Sequence, residues 1–159
     1  MKQILVAIIL LFSVAYVSAA PGKVKATKSV LTAEYIKALG FGGQKAVKKS
    51  AGVWTLRDGV TVYSTDAYGA KIRGYAGPTP LFIAVSNKGK IISIAAAPNS
   101  ETPEYFEQVL ESALLTKWNG KTLKEASTFR PDAVTGATYS SFAIIRTVNV
   151  ASKQLSEKK

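Results

Sequence analysis

Two pairs of β-branched runs, each joined by a turn built around glycine, commit the centre of this chain to antiparallel hairpins. Val53-Trp-Thr-Leu56 and Val60-Thr-Val-Tyr63 flank Arg57-Asp58-Gly59. Asp-Gly between two such runs is a strong short-range hairpin signal, because a tight hairpin bend needs positive φ at its centre. Leu81-Phe-Ile-Ala-Val-Ser86 and Lys90-Ile-Ile-Ser-Ile-Ala95 flank Asn87-Lys-Gly89 in the same way. Between the hairpins, Gly74-Tyr-Ala-Gly77-Pro-Thr-Pro80 holds too much glycine and proline for a strand interior.

Helical signals bracket the hairpins. The first helix is expected over 32–39, with Thr32 as its cap, Glu34 in the first turn and Gly40 as the stop. The glycine- and lysine-rich stretch 41–51 reads as loop. Thr102 can cap a second helix whose first position suits Pro103, since no backbone donor is needed there. Phe106, Val109, Leu110, Ala113 and Leu114 recur at helical spacing as one apolar stripe, and Asn119-Gly120 ends the run. After a loop, a last helix spans about 140–155 with Ile144, Val148, Ala151 and Leu155 on one face. Trp54, Trp118 and the pair Phe106 and Leu110 are expected in the core or at its rim. Helix, hairpins, helix, helix is the order of an α+β fold, an antiparallel sheet of hairpins packed by helices, rather than of an alternating parallel sheet. The 159 residues suffice for one domain with one real core, and no repeat or second domain is apparent.

The first residues have a different character. Lys2 precedes the apolar stretch Ile4 to Val17, followed by the small residues Ser18, Ala19 and Ala20. A basic start, a short apolar region and small residues at a cleavage point make a secretory signal peptide, here 1–19, cut after Ala19. Residues 20–30 form a basic linker and 31–159 the domain. No other apolar run approaches the ~20 residues of a spanning helix, so no membrane span is expected after removal of the leader. The expected location is outside the cytoplasm: a periplasm, the cell surface or the medium.

Composition then removes whole classes of chemistry. The chain has no Cys and no His. Disulfides, thiolate nucleophiles, thioether haem, iron–sulfur clusters, histidine-based triads and zinc sites of His or Cys are all excluded. Redox activity would have to reside in a bound cofactor. The formal charge of +11 is spread along the chain without a run of five like charges. It reads as a solvated basic surface, and no nucleic-acid partner is expected.

One segment concentrates chemistry. Arg130-Pro-Asp132-Ala-Val-Thr135-Gly136-Ala137-Thr138-Tyr139-Ser140-Ser141 sits at the start of the last helix. Small hydroxyl and glycine residues there expose backbone N–H groups, and the helix dipole favours an anion such as phosphate. Gly136 allows close backbone approach and Ala137 leaves space. The physics ends at a phosphate-sized anion site or a plain capped helix start.

The pattern Asp-x-x-Thr-Gly-Ala-Thr resembles the attachment motif of the FMN-binding domain family, which includes the C subunit of sodium-pumping NADH:quinone reductase and the G subunit of the Rnf complex. Five such positions arise by chance in a chain this long on the order of once in a thousand. Gly74-Tyr-Ala-Gly77 resembles the family's lead-in to its central strands, Asn87-Lys-Gly-Lys-Ile91 its second turn and strand, and Glu101-Thr102-Pro103 its Glu-Thr-Pro segment. The likeness covers about residues 70–150. It implies an FMN-binding-domain-like fold with FMN as a phosphoester on Thr138, transferred from FAD by a flavin transferase. Asp132, Thr135, Gly136 and Ala137 match the recognition pattern, and Tyr139 and Ser140 continue the helix start that would hold the phosphate. Asp132 would orient the loop or serve transferase recognition, and Arg130 would offset the phosphate charge. Glu101 and Thr102 would line the cofactor slot or simply cap a helix, and Tyr75 would stack on the ring or anchor a turn. Family members often carry a His before Glu-Thr-Pro and glycines after it. Here Asn99-Ser100 precede and Glu104-Tyr105-Phe106 follow, which leaves the ring contacts open.

The implied role is an exported electron carrier with redox donor and acceptor partners. The alternatives are a flavin-dependent reductase of a small extracellular acceptor and a non-redox module that binds polyanions.

Overall fold

A computed structural model describes residues 28–158. Five strands form one antiparallel sheet in sequence order: β1 (Val47–Ser50), β2 (Val53–Thr55), β3 (Thr61–Ser64), β4 (Leu81–Val85) and β5 (Ile91–Ala96). The helices are α1 (Ala33–Ala38), α2 (Asp66–Gly69), α3 (Pro103–Glu111), α4 (Leu123–Thr128) and α5 (Thr138–Glu157). The fold is α+β, as the order of signals implied.

Both hairpins form where the turns placed them. Asp58 and Gly59 adopt φ of 58° and 73°, and the Leu56 amide donates to the Val60 carbonyl across the bend. Gly89 has φ 74° in the second turn. The inner strand β4 is an unbroken apolar run because both of its faces are covered. Leu81, Ile83 and Val85 face a core shared with Phe106, Val109, Trp118, Ile144 and Val148. Phe82 and Ala84 point the other way, into a second core with Trp54, Val62, Ile36 and Leu39. Each of these β4 side chains is essentially inaccessible. The last helix buries Ile144, Val148, Ala151 and Leu155 as its periodicity required.

Four expectations need correction. Residues 47–50 are not loop but the edge strand β1, paired to β2. All four of its residues are exposed, so no apolar alternation announces it, and its lysines protect the edge from further pairing. The second helix stops at Glu111 instead of running to Asn119. The Ser112 hydroxyl donates to the Val109 carbonyl and accepts from the Leu114 amide, turning the backbone extended at Ser112. Leu114 still reaches the core from a following 3-10 turn, whereas Leu110 is 48% exposed and leaves the apolar stripe. Thr32 and Thr102 occupy N-cap positions without side-chain capping bonds. The short helix α4 falls where loop was expected, and α2 lies in a stretch to which no element was assigned. The expected signal peptide and most of the linker lie outside the described residues. Among these residues no helix is long and apolar enough to cross a membrane.

Candidate functional site

The loop before α5 is shaped by local hydrogen bonds. Gly136 adopts φ 84°, a conformation that strains any L side chain, and a Cβ there would meet Gln108 Oε1 at 2.6 Å. The Ser141 hydroxyl accepts from the Val134 amide at 3.0 Å and donates to the Ala137 carbonyl at 2.8 Å. Ser141 is thus the side chain that folds the loop onto the helix, a role its sequence position did not disclose. Ala137 is buried and anchors the turn. Asp132 is exposed and makes no hydrogen bond among the described residues.

This geometry presents Thr138 as the first residue of a 20-residue helix, exposed to solvent. The first helical bond of the turn runs from the Ser141 amide to the Ala137 carbonyl. Among the described residues nothing accepts from the amides of Thr138, Tyr139 and Ser140, which are the orphan donors of the helix start. No acidic residue lies in that first turn. The hydroxyls of Ser140 and Ser141 are committed, to Glu101 and Ala137 respectively. Thr138 and Thr135 are the exposed hydroxyl residues of the motif.

Glu101 is the hub of the site. It is 7% exposed, and its two oxygens accept from the amides of Tyr75 at 3.0 Å, Ala76 at 2.9 Å and Gly77 at 3.0 Å, and from the Ser140 hydroxyl. Gly74 is obligatory beside it, because a Cβ would lie 2.7 Å from both carboxylate oxygens. Burial pushes the Glu101 carboxyl up, but the Ser140 hydroxyl and the three amides outweigh it and hold its pKa below the ordinary carboxylate value. Residues 74–77 and the first turn of α5 are therefore tied together through one buried anion. Asn99 Oδ1 accepts from the Glu101 amide at 3.0 Å and fixes the backbone that carries it.

The hub places Tyr75 against the helix start. A cleft of about 170 Å³ is lined by Tyr75, Tyr105, Gly136, Ala137, Thr138, Tyr139 and Ser140. It gathers Tyr75, Gly136, Ala137, Thr138, Tyr139 and Ser140 from the sequence-derived set. Thr135 and Asp132 stand outside it, and Thr102 contributes only its carbonyl to the first turn of α3. Tyr105 was missed as a site residue: its sequence signal was the replacement of expected glycine after Glu-Thr-Pro. Arg130 does not face the cleft as a free cation, since its guanidinium donates to Asn149 Oδ1 and the Phe129 carbonyl.

The family model for the FMN-binding domain matches residues 74–153, just over half of the chain. The chain belongs to the FMN-binding domain family. Its cofactor is accordingly FMN, and it is a flavin-binding protein. No curated protein matches it.

The residues at the helix start fit the phosphate end of FMN. Three unpartnered N–H groups and the positive end of a long helix suit an anion, and no carboxylate of the turn opposes it. The family match begins at Gly74 and so includes the Tyr75 loop, Glu101 and α5 as far as Lys153. A larger cavity of about 510 Å³, bordered by Lys28, Asp66, Tyr68, Pro80 and Pro98, contains none of the sequence-derived site residues.

Proposed function

We propose that this is an exported flavoprotein in which FMN is held as a phosphoester on Thr138 and serves as an electron carrier. The observation that carries the reading is the exposed Thr138 hydroxyl, standing beside three orphan amides in the one segment that matches an attachment motif. Export rests on the leading pattern of Lys2, the apolar run to Val17 and the small residues that follow.

The chemistry assigns each group a task. Attachment joins Thr138 Oγ1 to the phosphorus of FMN, releases AMP from FAD and frees the hydroxyl proton. Glu101, the carboxylate tied to this turn, is saturated by four donors, and the chain has no His to take that proton. We assign the base to a separate flavin transferase. The phosphodiester keeps one negative charge, which the amides of Thr138, Tyr139 and Ser140 stabilise. Bound FMN supplies one- and two-electron transfer. The protein holds the phosphate end on a rigid helix and leaves the ring end toward exposed aromatic side chains. With neither Cys nor His in the chain, no thiol or imidazole competes with the flavin, which suits a carrier that exchanges electrons with donor and acceptor partners.

Intact mass after export from a host containing the transferase tests the whole reading. Loss of the leader and gain of one FMN phosphoryl adduct are expected together, with flavin colour that survives denaturing precipitation. Thr138→Ala is expected to abolish the adduct completely. Colour that washes away from precipitated wild-type protein would overturn the attachment.

A further inference from the structure

The tyrosines around Thr138 are more than a rim. Tyr75, Tyr105 and Tyr139 are 63%, 43% and 72% exposed, yet they pack on one another. The Tyr75 and Tyr105 ring centroids are 5.7 Å apart at 63°, and those of Tyr75 and Tyr139 are 6.4 Å apart at 52°. Both contacts fall within the range of favourable aromatic pairs. Three large rings gathered on a solvent-facing surface, from three different segments, form an apolar patch of the kind that marks a binding face. Their backbones are held: Tyr75 by Glu101, Tyr105 by the first turn of α3, Tyr139 by the first turn of α5.

The size of the cleft decides how a flavin can use it. Its volume of about 170 Å³ is well below the ~300–1,000 Å³ of pockets that enclose drug-sized ligands. A phosphate and the start of a ribityl chain fit among Gly136, Ala137 and Thr138. The three-ring isoalloxazine does not fit behind them.

Resting on the proposed attachment at Thr138, we infer that Tyr75, Tyr105 and Tyr139 form an open stacking face for the isoalloxazine, with Tyr105 joining it from the first turn of α3. The rings turn about their side-chain bonds to lie against the flavin, while Glu101 keeps the Tyr75 backbone in place. The outer edge of the ring stays in solvent, accessible to a partner.

Stacked phenols leave an optical signature independent of turnover. A phenol in contact with an excited isoalloxazine gives it one electron and recovers that electron on recombination, so emission is lost without net oxidation. Intact mass first establishes the adduct in each protein, and fluorescence lifetime and the visible absorption band are then read on the same samples. Native wild-type protein is expected to emit severalfold less per flavin than the same protein unfolded in urea. Tyr105→Leu and Tyr139→Leu are each expected to recover emission at least twofold and to shift the band. Tyr105→Phe should recover emission while leaving the band in place, because phenyl stacks but is a poor electron donor. Phe142→Leu, one turn along α5 and 52% exposed, should change neither. Equal emission from folded and unfolded loaded protein, or Tyr105 variants indistinguishable from wild type, would overturn the stacking face and leave the attachment standing. A missing adduct in the wild type would remove both.

Discussion

The carboxylate of Glu101 meets four donors with two oxygens and no hydrogen of its own, so its ionised state is the one the site is built for. A group whose folded pKa lies below its unfolded value stabilises the fold above the unfolded pKa. That contribution is lost as pH falls through the folded pKa. The unfolded value is about 4.3, and the folded one is lower. Glu101→Gln replaces one acceptor oxygen by an amide nitrogen that must face donors. Leaving buried donors unsatisfied costs ~1–3 kcal/mol, and bonds to a charged acceptor sit at the upper end. The variant is expected to lose about 2–3 kcal/mol in urea unfolding at pH 7. The gap to wild type should narrow below about pH 4, as the wild-type carboxyl also takes up a proton. A gap that stayed constant down to acid pH would show that the charge contributes nothing. Glu101 was legible as a site residue from Glu-Thr-Pro, but its partners were not, because they come from residues 75–77 and 140, far apart in the chain.

Elements announced themselves in the sequence in proportion to how much local chemistry they carry. The hairpin turns at Asp58-Gly59 and Asn87-Lys-Gly89 need positive φ, and only a few residue types accept it. The long helix α5 carries a full apolar stripe. The strand β1 had neither mark, since its pairing with β2 is decided by the ladder and not by burial. Ser112 broke α3 through a competing hydrogen bond that periodicity cannot register. The helix α4 did carry a signal, Thr122 with Glu125 three residues on, and both bonds of that capping box are made. The four-residue helix α2 is held by contact with α5 instead. A Cβ added at Gly69 would sit 2.9 Å from Thr147 Cγ2, deep in the side of α5. Gly69→Ala is expected to cost ~1–3 kcal/mol as overpacking. Thr147→Ser removes the offending methyl, so the double variant should recover part of that loss in a double-mutant cycle of urea melts. Strictly additive losses would mean that α2 and α5 are not coupled there.

At the scale of the whole molecule, the family match begins at Gly74 and leaves α1, β1, β2, β3 and α2 outside it. Of these, α1, β2 and β3 line the second core, and β4 belongs to both cores, with Leu81, Ile83 and Val85 on one face and Phe82 and Ala84 on the other. The β3–β4 ladder runs from Thr61 opposite Val85 to Ser64 opposite Phe82, so the two parts share backbone bonds as well as side chains. A sheet whose strands β4 and β5 both line two cores cannot shed one core without exposing them, and the two should unfold together. The chain carries its own reporters. Trp54 is buried in the core outside the family match and Trp118 in the core inside it. Trp118→Phe leaves Trp54 as the sole indole, and Trp54→Phe leaves Trp118. Each substitution shifts the midpoint by its own packing cost, so the comparison is made within one variant, between indole fluorescence and far-ultraviolet circular dichroism. The two probes are expected to give coincident urea transitions in both variants. A Trp54 signal that fell well before the loss of secondary structure would show that residues 28–73 are an addition able to open on their own, with the flavin-binding half persisting without them.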